Sequence, residues 1–106
     1  DQWGLLSAVN LTDGKIRWQY RTDQPLLGGT LATKGNLVFV GEGNGNFSAV
    51  HGGSGEMLWS TKINAGVNAP AISYMINGKQ YIAVVSGGNK IMGYKQGDFI
   101  SVYSLN

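Results

Sequence analysis

Residues 8–18 read AVNLTDGKIRW, and residues 49–59 read AVHGGSGEMLW. Four positions match: Ala8 with Ala49, Val9 with Val50, Gly14 with Gly55 and Trp18 with Trp59, each pair 41 residues apart. Asp13 and Ser54, both turn formers, also correspond. Each copy opens on a small residue, turns at a glycine and places an indole four residues later. Gly28-Gly29 and Ala69-Pro70, small or rigid residues, open the segment that follows each copy. A period of about 40 residues is the size of one four-stranded blade of a β-propeller.

Alternation and turn residues place the strands around these copies. Asp13-Gly14 and Asn77-Gly78 each stand between apolar runs, a strong short hairpin signal. The pattern predicts strands over residues 5–9, 16–20, 31–33, 37–40, 47–51, 57–61, 71–75, 81–85 and 100–105. No stretch sustains a helical apolar period with caps, so no helix longer than two turns is expected. The fold class that follows is all-β, a propeller segment of four-stranded antiparallel blades. Residues 1–20 are expected to end one blade, residues 21–61 to form a complete blade, and residues 62–106 most of another. The longest irregular stretch, Ser86 to Phe99, holds Gly87-Gly88-Asn89. Loops of that length in compact β proteins usually carry function.

The repeat has a physical logic. Trp18 and Trp59 sit on outer strands, where an indole can lie across the neighbouring blade. The buried indole N–H then needs an acceptor, for which a carbonyl of that blade would serve. Ala8 and Ala49 are small enough to let the next sheet approach. Ala8, Gly14, Trp18 and Ala49, Gly55, Trp59 are thus two sets of docking residues. Truncating either Trp is expected to cost about 3–5 kcal/mol, as for a buried aromatic.

Composition excludes several classes of function. The chain has 106 residues, 42% hydrophobic and 13% charged, which does not suit a disordered segment. The formal net charge of +2 is scattered, so no nucleic-acid footprint is present. The longest apolar run, Tyr81 to Val85, cannot span a bilayer, and no secretory signal pattern opens the chain. No cysteine and a single histidine, His51, exclude thiolate and multi-histidine metal sites. Gly41-Glu42-Gly43-Asn44-Gly45-Asn46 lacks both the spacing of a phosphate loop and the acidic density of a calcium loop, and reads as a turn. Nothing in the spacing brings Glu42 and Asp98 together as an acid and a base. Asn10 and His51 fall where a side chain can hydrogen-bond within the turn.

The pattern ending Asp13-Gly14-Lys15-Ile16-Arg17-Trp18, and again Ser54-Gly55-Glu56-Met57-Leu58-Trp59, resembles the tryptophan-docking motif of alcohol dehydrogenases that depend on pyrroloquinoline quinone (PQQ). Residues 25–33 (PLLGGTLAT), 35–41 (GNLVFVG) and 78–84 (GKQYIAV) are similar to that family too. The resemblance implies an eight-bladed propeller with PQQ near its axis beside a calcium or lanthanide ion. It implies a periplasmic enzyme that oxidises alcohols to aldehydes and passes electrons to a cytochrome c. This chain resembles the carboxyl-terminal part. The catalytic aspartate and the metal ligands would lie upstream, so the resemblance assigns this chain no catalytic or metal-binding residue. It assigns cofactor contacts to Leu27, Gly28, Asn68, Ala69 and Pro70. The expected partners are the remaining blades or other copies of the chain, and the chain alone is expected to be inactive. The alternative is a cofactor-free propeller segment, a scaffold or protein-interaction module.

Overall fold

The computed structural model describes residues 3–26, 29–63, 65–67, 70–86 and 99–105. Nine strands run in chain order: β1 (Gly4–Val9), β2 (Ile16–Thr22), β3 (Thr30–Ala32), β4 (Leu37–Gly41), β5 (Asn46–His51), β6 (Met57–Lys62), β7 (Ile72–Ile76), β8 (Lys79–Ser86) and β9 (Phe99–Leu105). They form three antiparallel sheets, ordered β1-β2, β3-β4-β5-β6 and β7-β8-β9. No helix occurs among the described residues. The all-β expectation holds, with strand ends shifted by at most two residues. One of the two-residue shifts is at the start of β8, in the third sheet. There Asn77 and Gly78 both take positive φ, at 51° and 78°, and make a tight two-residue turn. That turn lets pairing run from Ile76↔Lys79 inward.

The two copies of the repeat fold alike in atomic detail. In the first, Gly14 N–H donates to Asn10 O at 2.7 Å and Asn10 N–H to Lys15 O at 2.8 Å. In the second, Gly55 N–H donates to His51 O and His51 N–H to Glu56 O, both at 2.8 Å. Gly14 and Gly55 have φ of 72° and 76°, a region that side chains resist. Both hairpins carry a register shift at the same place, Ala8/Val9 and Ala49/Val50. Asn10 Oδ1 accepts from Thr12 N–H at 2.8 Å, and His51 Nδ1 accepts from Gly53 N–H at 3.0 Å. His51 is therefore a turn acceptor, as its place in the repeat suggested.

The second sheet is covered on both faces along its central strands, β4 and β5, while β3 and β6 are largely exposed. Neighbouring residues Phe39 and Val40 are both buried, as are Phe47, Ser48, Ala49 and Val50. Successive strand residues point to opposite faces, so burial of consecutive residues means that both faces are covered. One face packs on the third sheet. Phe47 stacks between Phe39 and Tyr103, with ring centroids 5.8 and 5.9 Å away, over a core that includes Ile82 and Val84. Gly41 has no room for a side chain, because a Cβ would collide with Val67. The slab measures 43 × 40 × 19 Å. Its thinnest dimension is about the length of a six-residue strand at roughly 3.3 Å per residue.

Candidate functional site

Trp18 and the turn between β5 and β6 make the junction from the first sheet to the second. Ala8 lies directly opposite Trp18 on β1, and Ala49 directly opposite Trp59 on β5. Trp18 Nε1 donates to the Gly52 carbonyl at 2.8 Å. Gly52 is itself held by its N–H on the Asn36 carbonyl, at 2.8 Å. The Trp18 ring lies flat against Gly55, where a Cβ would stand 2.6 Å from Cε3. Glycine at this position thus serves two needs, a positive φ and close approach of the ring.

Trp59 meets a different environment. Its ring is edge-on to Phe47 and to Tyr103, at centroid distances of 6.1 and 5.1 Å. It is 38% exposed. It borders a cleft of about 590 Å³ whose walls include Leu37, Phe39, Ala49, Tyr103 and Leu105.

The segments that lead into β3 and β7 come together at the edge of the slab. A Cβ built on Gly29 would lie 3.7 Å from Pro70 Cβ. Gly29 has a φ of 75°, and both residues are exposed. The surface they share is small and uncharged, which suits contact with a flat ring. Of the residues expected to contact a cofactor, Pro70 falls among those described. Leu27, Gly28, Asn68 and Ala69 lie outside the described residues, as do Gly87-Gly88-Asn89 and Asp98. Among the described residues, no three His, Cys, Asp or Glu side chains converge as a metal site would require.

The turn after β4 holds a residue whose environment the sequence did not disclose. Residues 42–45 turn through Gly45 N–H on Glu42 O at 3.0 Å, and Asn46 N–H is held by Asn44 Oδ1 at 2.9 Å. This is the strand-connecting turn expected of the glycine-rich stretch. Yet Glu42 is buried. Burial holds its carboxyl above the usual carboxylate range; Asn46 draws it back, the Asp23 carboxylate pushes it further up, and the backbone of Asp23 and Gln24 lowers it. Glu42 O also accepts from Val67 N–H at 3.0 Å. One turn therefore touches the connection before β3 and the connection before β7. The only sequence signal was a carboxylate set between two glycines, too weak to place it in the interior.

Comparison with known proteins agrees with this geometry. The family model for the glucose/ethanol/alcohol dehydrogenase β-propeller domain, which carries the name PQQ, matches residues 2–82. A quinoprotein ethanol dehydrogenase of Pseudomonas putida is 44% identical over 87 residues, covering 82% of this chain and 14% of the relative. A quinoprotein glucose dehydrogenase of Escherichia coli is 33% identical, covering 97% of this chain and 16% of the relative. Among solved structures, a quinohemoprotein alcohol dehydrogenase from Comamonas testosteroni superposes with a TM-score of 0.86 at 30% identity. That match covers 96% of this chain and 16% of the solved one. The chain thus spans 14–16% of the length of these relatives.

Proposed function

We infer the function from membership: the chain belongs to the β-propeller family of the PQQ-dependent glucose, ethanol and alcohol dehydrogenases. In our reading it contributes blades, and one part of the cofactor pocket, to an enzyme that oxidises alcohols to aldehydes. The observation that supports this best is the meeting of two strand entries at Gly29 and Pro70. A flat cofactor can approach the backbone closely there, because neither residue projects a bulky side chain. Leu27, Gly28, Asn68 and Ala69 adjoin them in sequence and would complete the contact. The Asn68 amide can donate to a quinone oxygen. PQQ, when bound, takes up the two electrons that leave the alcohol carbon. The base for the hydroxyl proton and the calcium or lanthanide ion would be held by residues outside this chain.

In the same reading, Trp18 and Trp59 dock successive blades. The remaining blades, or other copies, cover the outer faces. Electrons pass to a cytochrome c, and the enzyme works in the periplasm. Among the described residues no helix is long and apolar enough to cross a membrane.

The test is quinone binding by the full-length protein that carries these residues, followed by absorption after addition of PQQ and calcium. Asn68→Ala should weaken binding about tenfold, the equivalent of one neutral hydrogen bond. Gly28→Val should weaken it more. Equal binding by both variants and the parent would remove the pocket assignment and leave family membership intact. A folded parent that binds no quinone would favour the cofactor-free scaffold.

A further inference from the structure

Each connection between sheets lies on a glycine of its own repeat. A Cβ on Gly4 would collide with Thr22 and with the Gln24 carbonyl, and a Cβ on Gly45 would collide with the Ile63 carbonyl. Gly4 and Gly45 are 41 residues apart, as are Thr22 and Ile63. Glu42 adds a link from one connection to the other. Its main-chain carbonyl accepts from Val67 N–H at 3.0 Å, in the connection before β7. Its carboxyl faces the backbone N–H groups of Asp23 and Gln24, in the connection before β3, and the Asn46 amide. The turn that carries Glu42 is pinned as well. Gly45 O accepts from Ile63 N–H at 2.8 Å, and Gly41 has no space for a side chain beside Val67. Glu42 is only 5% exposed, and a carboxyl so placed is costly unless donors surround it. Two of its donors belong to the connection before β3.

The two connections lead directly to the residues assigned to the quinone. Leu27-Gly28 begins three residues after Gln24, and Asn68-Ala69 follows Val67 without a gap. We propose that Glu42 is a positioning residue of the cofactor pocket, fixing the segments that carry Leu27-Gly28 and Asn68-Ala69 relative to each other; this rests on the assignment of those four residues to the cofactor. Glu42 acts through the connections and makes no contact with the quinone itself. Segments that are already held in place need no ordering when a flat ring enters, and binding is tighter by the ordering cost avoided. Removing the carboxyl takes an acceptor from the Asp23 and Gln24 N–H groups and loosens the first connection. The second connection stays, because the Glu42 main chain holds it. The two halves of the pocket then lose their fixed relation.

The test uses the full-length protein that carries these residues and has two readouts. The first needs no quinone: hydrogen exchange followed by mass spectrometry on the cofactor-free protein. Glu42→Ala should speed exchange in residues 22–29 and leave β4 and β5 as they were. The second is quinone affinity, from absorption during titration with PQQ in the presence of calcium. Glu42→Ala should weaken binding about tenfold, comparable to loss of a direct hydrogen bond. Glu42→Gln keeps the shape and a carbonyl acceptor, and should bind within about twofold of the parent. Glu42→Asp withdraws the carboxyl by one methylene and should weaken binding about fivefold; it serves where Glu42→Ala does not fold. Gly78→Ala strains a turn at positive φ where a methyl meets nothing within 4 Å, so it controls for destabilisation alone and should bind as the parent does. Glu42→Ala or Glu42→Asp binding as tightly as the parent, while Asn68→Ala binds more weakly, would overturn the positioning role and leave the pocket assignment standing. Equal weakening by Gly78→Ala would overturn it too, since Glu42 would then act on stability only. A protein in which neither Asn68→Ala nor Gly28→Val alters binding would remove the pocket assignment, and the positioning role with it.

Discussion

Trp18 and Trp59 stand at the same place in two copies of one repeat, each opposite an alanine on the neighbouring strand. Their surroundings differ. Trp18 donates to Gly52 and lies against Gly55, whereas Trp59 meets the edges of two rings and stays 38% exposed. The glycines mirror this difference. Gly55 is covered by an indole, and Gly14, with nearly the same φ, has nothing within 4 Å of a Cβ built on it. The local hairpin forms from its own turn residues in both copies. The contact between sheets forms only where a complete neighbour supplies the carbonyl and the glycine. Secondary structure here is a property of each repeat, and docking is a property of the pair.

The largest test of this comparison is truncation of the indoles. Trp18→Ala should cost about 3 kcal/mol in urea unfolding, because a partly buried aromatic and its hydrogen bond are lost together. Trp59→Ala should cost less, about 2 kcal/mol, since its ring is partly solvated and its N–H has no acceptor among the described residues. This lowers the expectation of equal losses that the repeat alone suggested. Equal losses would mean that the two junctions are energetically the same.

The glycines sharpen the point. Gly14→Ala and Gly55→Ala both place a side chain at positive φ, which costs about 1–2 kcal/mol. At Gly55 the new methyl also meets the Trp18 ring, and forced overpacking adds roughly 1–3 kcal/mol. The difference between the two variants isolates the docking contact. In a Trp18→Ala background the difference should vanish, which a double-mutant cycle reads directly.

Much of this molecule was legible in the sequence because its signals are local. The turns at Gly14, Gly55 and Asn77-Gly78 rest on residues within a few positions of one another. The doubly covered centre of the second sheet left its mark in the consecutive apolar residues 37–40, Leu-Val-Phe-Val. What was not legible depends on distant partners. Nothing in residues 56–62 says that Trp59 would meet Tyr103 rather than a glycine. Nor does Gly41-Glu42-Gly43 say that Asp23, Gln24 and Asn46 surround the carboxyl, or that Val67 donates to the Glu42 backbone carbonyl. Of the expected cofactor contacts, only Pro70 falls among the described residues, and its neighbour Gly29 was noted only as a strand opener.

Glu42 gives a pH-dependent test, smaller in effect and common to both junctions. Its turn touches the connections on either side of the second sheet. Burial raises its pKa in the folded state, so the folded chain holds that proton more tightly than the unfolded chain. The stability it contributes is therefore full below the unfolded pKa and is lost as pH rises through the folded value. The groups facing it are the Asp23 carboxylate, the Asn46 amide and the backbone of Asp23 and Gln24. Glu42→Gln keeps the shape and cannot ionise. Relative to the parent, its urea midpoint should improve as pH rises from about 4 to 8. A constant difference across that range would mean that the buried carboxyl does not titrate differently on folding.

The smallest expected effect discriminates best between the junctions. Trp→Phe keeps an aromatic ring and removes the N–H. At position 18 the change leaves the Gly52 carbonyl without its donor in a partly buried place. An unmade hydrogen bond of that kind costs about 1 kcal/mol or somewhat more. At position 59 no bond is lost among the described residues, so the change should fall within roughly 0.5 kcal/mol of neutral, as at ordinary surface sites. A Trp59→Phe cost of about 1 kcal/mol in the 106-residue chain would mean that its N–H finds an acceptor within the chain. The difference between the two junctions would then lie in ring packing alone.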